Sequence, residues 1–220
     1  SANAARRSIC GIIRLMSFGK RHSTVRLVVL AGTAIAAVLV MRRSQAPAVP
    51  AESDVPQYTA NGKLLLPQHY REWIYLSSGL GMEYNPAGKA DSEFTNVFVK
   101  PSAYHEFLRT GRWPDKTVFV LEERASATRR SINHGGHYQT SVEGLAASVK
   151  DEKRFPEKWA YFTFGKNATP SRANPRAACF ECHNTHGAVD NTFVQFYPTL
   201  KPVAEKYGTY SETKAAAEGR

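Results

Sequence analysis

One uncharged apolar run divides this chain into two parts of different character. The run covers Leu27–Met41, with six Lys and Arg residues before it and Arg42 and Arg43 directly after it. A basic flank followed by an apolar stretch is typical of a secretory signal or an N-terminal membrane anchor. The run is shorter than the roughly 20 residues that span a bilayer comfortably, but arginines at its ends can snorkel to the interfaces. The charge before the run predicts a cytoplasmic N-terminus and an exported body.

The charge distribution excludes some classes of protein. Residues 1–43 hold eight Lys and Arg and no acid, whereas residues 44–220 hold 21 basic and 19 acidic side chains, a net charge of +2 out of +10. A nearly neutral body offers no footprint for nucleic acid, so no such partner is expected. A chain with one long apolar run is not a polytopic membrane protein.

The segment composition predicts the domain organisation. We expect a leader with its signal or anchor helix at 1–43, a proline-containing linker at 44–57, a folded body at 58–207 and a tail at 208–220. The linker carries Pro47, Pro50 and Pro56 among small and polar residues, which favours an extended tether. The two arginines behind the apolar run favour an uncleaved anchor over a processed signal.

Within the body, strands are predicted first and helices last. Runs of β-branched and aromatic residues predict strands over Phe94–Lys100, Thr117–Glu123, Gln139–Lys150 and Trp159–Phe164. Helices are predicted over Gln68–Trp73, Pro101–Thr110, Arg176–His183 and Asn191–Lys206, the last one bent at Pro198 or Pro202. Asn174 and Pro175 are expected to cap the third helix, and Ser211–Arg220 to fray. This order favours an α+β domain with an antiparallel, sheet-rich core and short helices.

The most specific motif is Cys179-Phe180-Glu181-Cys182-His183. In an exported protein this spacing is typical of covalent haem attachment, because each thiol adds to one haem vinyl group and the adjacent imidazole binds the iron. The sequence therefore predicts one haem c, with thioethers from Cys179 and Cys182 and with His183 as the proximal iron ligand. Bacterial c-type haem is attached outside the cytoplasmic membrane, so the body is expected in the periplasm, tethered or secreted.

Two other interpretations of the motif remain open. A zinc site made of Cys179, Cys182, His183 and His186 would crowd four ligands into eight residues, whereas zinc usually draws on two separated pairs. A disulfide between the cysteines would leave His183 without a role, and no βαβ pattern supports a thioredoxin-like site. Haem attachment is the favoured interpretation.

The sixth iron position determines the function of such a protein. An electron-transfer cytochrome fills it with Met or His, and the body offers Met82 and His137 as candidates. His186 lies three residues after His183 and cannot reach the opposite face, and the other histidines are expected at the surface. An open sixth site is favoured.

Several stretches resemble the cytochrome P-460 family. They are Tyr70–Trp73, Pro114–Glu122, Val149–Pro156, Trp159–Phe164 and, after the cysteine motif, Phe193–Pro198. The resemblance covers about Asn61–Pro202. Members of that family oxidise hydroxylamine or nitric oxide, and the related cytochromes c′-beta share the β-rich fold and bind nitric oxide at a five-coordinate haem.

Two departures from the family pattern bear on catalysis. The family's lysine that is cross-linked to the porphyrin corresponds here to Leu121, and its distal carboxylate corresponds to Ala146. Lys116 and Glu143 lie nearby, but each is an odd number of residues away and faces the opposite side of a regular strand. A β-bulge could place either side chain on the same face as Leu121 and Ala146. The resemblance is therefore closer to the cytochrome c′-beta type.

The resemblance implies a distal pocket lined by Leu121, Ala146 and aromatics such as Phe119. Such an apolar pocket favours nitric oxide or carbon monoxide over dioxygen and charged anions. The leading hypothesis is an exported mono-haem cytochrome that binds nitric oxide for scavenging, sensing or slow redox turnover. The alternatives are a hydroxylamine or nitric oxide oxidoreductase and an electron-transfer cytochrome. A redox partner protein and a homodimer are left open.

Overall fold

The computed structural model describes residues 55–82 and 93–217. The predicted leader and most of the predicted linker lie outside the described residues. Within the described ranges, no helix is long and apolar enough to cross a bilayer.

A sheet of five antiparallel strands organises the described part of the chain. The strands follow one another in chain order as β1 (Ile74–Leu80), β2 (Glu93–Val99), β3 (Val118–Ala127), β4 (Tyr138–Lys150) and β5 (Trp159–Thr163). The helices are α1 (Pro101–Thr110), α2 (Phe180–His186), α3 (Lys201–Lys206) and α4 (Glu212–Ala215), with short 3₁₀ turns at Tyr70–Glu72, Arg176–Ala178 and Val194–Phe196. The prediction of an α+β fold with an antiparallel sheet and short helices is confirmed.

Helix α1 has the bounds that the sequence predicts. Pro101 occupies the first turn, where its fixed φ suits a helix and its missing N–H costs nothing. Gly111 ends the helix in the left-handed conformation at φ 67°, and its N–H donates to the carbonyl of Phe107 at 2.7 Å. Local sequence signals are sufficient here because both ends are determined by residues with unusual backbones.

Strand β1 is absent from the sequence prediction. Its residues, Ile-Tyr-Leu-Ser-Ser-Gly-Leu, mix β formers with serine and glycine and show no clean alternation. The pairing with β2 shifts register between Tyr75 and Ser77, and the intervening Leu76 is buried in the core. This bulge breaks the two-residue period on which strand prediction depends.

The predicted capping of α2 is wrong. The Asn174 amide donates to the Thr163 hydroxyl at 3.0 Å and lies 3.3 Å from the Cys179 sulfur, so it does not cap a helix. The chain after Pro175 makes a short 3₁₀ turn, and α2 itself begins at Phe180. Asn174 links β5 to the cysteine motif instead.

The long C-terminal helix predicted over Asn191–Lys206 is also wrong. Asn191 has φ 59°, which no right-handed helix accepts, and the chain passes through a 3₁₀ turn before α3 begins. Pro202 lies in the first turn of α3 and does not bend a longer helix.

The tail from Ser211 is ordered as far as the structure describes it, contrary to the expectation of fraying. The N–H of Ser211 donates to the carbonyl of Ala188 at 2.9 Å, and its hydroxyl caps α4 by accepting from the N–H of Lys214. These contacts attach α4 to the segment that follows α2.

The sheet separates two apolar clusters, because alternate residues of each strand face opposite sides. On β3, Val118 and Val120 belong to the cluster that packs under Leu64. Phe119 belongs to the other cluster, together with Phe180 of α2 and residues of α1 and α3. The second face is the one that carries the cavity described next.

Candidate functional site

A cavity of about 300 Å³ lies against the sheet face that carries Phe119. One row of its lining crosses all the described strands in register, from β1 to β5: Ser77, Val97, Leu121, Ala146 and Thr163. In the adjacent row, Phe119 pairs with Ser148, and Ser148 pairs with Tyr161. These two rows are two residues apart on each of β3, β4 and β5, as expected for side chains on one face of a sheet.

The other part of the lining comes from α2 and the chain that follows it. Cys179, Cys182 and His183 line the cavity, joined by Phe193 and two further aromatic residues, Phe196 and Tyr197. The structure thus brings all six residues singled out in the sequence around one cavity: Phe119, Leu121, Ala146, Cys179, Cys182 and His183.

The two thiols lie one helical turn apart. Cys179 precedes the first residue of α2, and its carbonyl accepts from the N–H of His183 at 3.1 Å. Cys179 is half-buried and Cys182 is exposed. Burial raises the pKa of the Cys182 thiol, and the neighbouring Cys179 raises it further. Both cysteines line the cavity, and neither is part of a disulfide.

The His183 imidazole lies between two aromatic rings. Its centroid is 4.1 Å from that of Tyr161 and 4.4 Å from that of Phe193. Its Nδ1 is 2.9 Å from the carbonyl oxygen of Asn191. A carbonyl can only accept, so Nδ1 carries the hydrogen and Nε2 keeps its lone pair.

Burial lowers the pKa of His183 to about 4, although the hydrogen bond to Asn191 opposes this shift. The ring is therefore neutral at neutral pH. A neutral imidazole with a free Nε2 lone pair is the form that ligates a metal.

The sequence model of the cytochrome P460 family matches residues 67–194, more than half of the chain. The chain belongs to the cytochrome P460 family. The matched range contains all the described strands and the cysteine motif. No curated protein matches the chain.

The family implies a haem cofactor, and the residues of this cytochrome fit one. The cavity presents a neutral imidazole, two free thiols one turn apart, and a lining made mainly of aliphatic and aromatic side chains. Among the lining residues that the structure describes, none carries a charge. An apolar, partly enclosed space with one nitrogen donor suits a flat macrocycle.

The alternatives for the motif find no support in the cytochrome's structure. The cysteines are not joined in a disulfide. Across the described ranges, no group of three or more His, Cys, Asp or Glu side chains is placed to hold a metal ion. His186 is not among the lining residues, and its Nδ1 is 3.1 Å from the carbonyl oxygen of Ala217.

Lys116 and Glu143 do not line the cavity. Lys116 has φ 66° in the turn before β3, and its ammonium pairs with Asp151. Glu143 falls at a register shift between β3 and β4, so the strand does bulge there, but its carboxylate pairs with Lys166. Both charges therefore lie outside the site, Glu143 in spite of the bulge and Lys116 through its ion pair in the turn.

The structure separates the two candidates for the sixth position. Met82 lines the cavity, and its side chain occupies the space that a Cβ on Gly79 would need. His137 is exposed in the turn between β3 and β4 and is not part of the lining.

Sequence reasoning missed three groups around His183. Tyr161 was within a predicted strand, and alternation with Thr163 would have placed it on the same face as the cavity. Phe193 was within a family segment but carried no chemical signal of its own. The carbonyl of Asn191 belongs to the backbone, and no side-chain pattern reveals it.

Proposed function

We propose that this cytochrome is an exported mono-haem c protein that binds nitric oxide in its apolar cavity. The observation that carries the proposal is the pairing of Leu121 with Ala146 on the cavity face. Cys179 and Cys182 would hold the haem through thioethers, His183 Nε2 would bind its iron, and the iron would supply the binding position for a diatomic ligand. The leader and its apolar run support export.

The cavity lining favours a small neutral ligand. A bound anion would be desolvated there without a cation to compensate it, because none of the described lining residues is charged. Dioxygen on ferrous iron develops negative charge and benefits from a strong donor, whereas nitric oxide needs it less. The hydroxyls of the lining belong to Ser, Thr and Tyr residues. That of Thr163 accepts from Asn174, and that of Tyr161 donates to the carbonyl of Asn191.

The lining also favours binding over oxidation. Leucine at position 121 cannot form the porphyrin cross-link of the enzymes in this family, and the nearest lysine in sequence, Lys116, pairs with Asp151. Proton removal from hydroxylamine needs a base, and no carboxylate occurs among the described lining residues. These observations support the cytochrome c′-beta type over a hydroxylamine or nitric oxide oxidoreductase.

A ligand-preference experiment tests the proposal. Nitric oxide binding to the ferrous holoprotein and azide binding to the ferric holoprotein are measured by absorption titration. We expect tight nitric oxide binding and weak azide binding, and Ala146→Lys should strengthen azide binding at least tenfold by adding a cation to the cavity. Leu108→Lys, on the outer surface of α1, is the matched control and should change neither. Azide binding that is tight in the wild type would contradict the proposal.

A second candidate, an electron carrier, is supported by the position of Met82. Its thioether lies against the same cavity as His183, and methionine is a common sixth ligand in electron-transfer cytochromes. In that case the ferrous wild type is low-spin and Met82→Leu abolishes the low-spin bands. If nitric oxide binding is the function, Met82→Leu leaves the ferrous spectrum unchanged.

A further inference from the structure

A buried lysine on the far end of β4 holds a loop carboxylate close to the proposed proximal ligand. Lys150 is 8% exposed, and its Nζ lies 2.7 Å from Asp190 Oδ2 and 2.8 Å from the carbonyl oxygen of Trp113. The other oxygen of Asp190 accepts from the indole N–H of Trp159 at 3.2 Å. A third group, Glu152, has its carboxylate 3.5 Å from the same ammonium. The ammonium of Lys150 and the indole of Trp159 thus hold both oxygens of Asp190, outside the cavity lining.

The carboxylate of Asp190 belongs to a tight turn with an uncommon backbone. Asp190 and Asn191 have φ values of 45° and 59°, and the flanking Val189 and Thr192 form a bridge in which the N–H of Thr192 donates to the carbonyl of Val189 at 2.8 Å. Two consecutive positive φ values are costly for residues other than glycine, although Asp and Asn tolerate them best. Such a turn persists where surrounding contacts determine it.

Further contacts hold the turn at Thr192. The indole N–H of Trp113 donates to the Thr192 hydroxyl at 2.9 Å, and that hydroxyl donates to the carbonyl of Val189 at 2.6 Å. Trp113 therefore contacts the turn through its indole ring. Its backbone carbonyl also accepts from the ammonium of Lys150. The turn is fixed at both ends.

These contacts fix the position of the backbone carbonyl of Asn191. The oxygen of Asn191 accepts from His183 Nδ1 at 2.9 Å and from the Tyr161 hydroxyl at 3.3 Å. Burial raises the pKa of Tyr161 well above its ordinary value, so its hydroxyl stays protonated and donates. The imidazole and the phenol share one acceptor.

We propose that Lys150 and Asp190 are positioning residues that set the orientation and basicity of His183 through the carbonyl of Asn191. The inference rests on the proposed function, in which His183 binds the haem iron. An acceptor on the second ring nitrogen raises the basicity of a metal-bound histidine. A more basic ligand favours ferric over ferrous iron, so the intact contact lowers the reduction potential and strengthens the iron–histidine bond.

The shared acceptor gives two opposite expectations. Loss of the Lys150–Asp190 pair loosens the turn and weakens the acceptor for His183. Loss of the Tyr161 hydroxyl removes a competing donor and strengthens the same acceptor. If these residues had only a structural role, their loss would not change the strength of this acceptor in opposite directions.

The test uses the holoprotein, with the midpoint potential from spectroelectrochemical titration and the iron–histidine stretch from resonance Raman of the ferrous state. Lys150→Met and Asp190→Asn should each raise the potential, by about 59 mV for a tenfold change in the ferrous-to-ferric ratio, and should lower the stretching frequency. Tyr161→Phe should move both in the opposite direction. Lys150→Arg should restore most of the wild-type values.

Lys166→Met is the matched control, because it removes a lysine whose ion pair with Glu143 is at the surface and outside the cavity lining. Both readouts should stay at wild-type values in this variant. If Lys150→Met fails to yield holoprotein, Asp190→Asn provides the same test. An unchanged potential and stretch in Asp190→Asn would overturn the inference. A wild type without any iron–histidine band would instead overturn the proposed function, so the two failures are distinguishable.

Discussion

Leu121 lies directly opposite Ala146 in the ladder between β3 and β4, and both side chains line the cavity. The sequence resemblance assigns the family's cross-linked lysine to position 121 and its distal carboxylate to position 146, and these two positions are neighbours in space. Leu121 and Ala146 together make this part of the cavity apolar.

Replacing Leu121 with lysine should return a reactive amine to the cavity. We expect the Soret band of Leu121→Lys to move relative to the wild type, because the amine reaches the macrocycle or adds a charge beside it. Absorption spectra of ferric and ferrous holoprotein measure the effect. Leu108→Lys changes the same residue type on the surface of α1 and should leave the band in place. An unmoved band in Leu121→Lys would mean that position 121 does not face the haem.

Cys179 and Cys182 should each supply one of the two thioethers to the haem. Cys179→Ala and Cys182→Ala should each retain haem through one remaining thioether, with a shifted α band in the pyridine haemochrome spectrum, because one vinyl group stays unsaturated. The double variant should release its haem into acidified organic solvent. Haem retained covalently by the double variant would show that the attachment lies elsewhere.

Glu122 should make the stability of the fold depend on acid pH. Its carboxylate is 2% exposed and accepts from the Tyr70 hydroxyl, Arg71 and Arg124. Burial alone would raise the pKa of Glu122, but these hydrogen bonds outweigh burial and hold the pKa below its usual value. Stability from the ionised form is present above the ordinary pKa and is lost as pH falls through the lowered one.

Glu122→Gln should therefore lower the free energy of unfolding by about 2 kcal/mol at pH 7, the scale of hydrogen bonds to a charged group. Urea unfolding measures the difference, which should shrink as the pH falls below the ordinary glutamate value. Glu106→Gln, whose ion pair with Arg109 is at the surface of α1, should cost at most about 0.5 kcal/mol. A difference for Glu122→Gln that stays constant with pH would contradict this account.

The sequence was sufficient where local signals determine the structure. α1 follows from Pro101 and Gly111, and the cavity face of β3 follows from alternation, because Phe119 and Leu121 are two residues apart. β1 was missed because its bulge at Leu76 breaks the alternation. The helix ends near Asn174 and Asn191 were mispredicted because tertiary contacts hold both residues outside a helix: Asn174 donates to Thr163 of β5, and the carbonyl of Asn191 accepts from His183 and Tyr161.

The candidate site, too, has parts that the sequence predicts and parts that it does not. The thiols and the imidazole stand out in the sequence because their chemistry is specific to side chains at fixed spacing. The environment of His183 does not, since it depends on a backbone carbonyl and on a turn fixed by Lys150, 40 residues earlier in the chain. Contacts at that separation follow from the strand order, which short-range patterns do not encode.

The coordination of the ferrous iron tests the central claim most directly. Absorption spectra of the reduced, matured holoprotein are recorded before and after addition of nitric oxide. The account predicts a five-coordinate, high-spin ferrous haem that converts to a nitric oxide complex. A protein that matures without colour, or a ferrous iron already six-coordinate and low-spin through side chains on both faces, would contradict it.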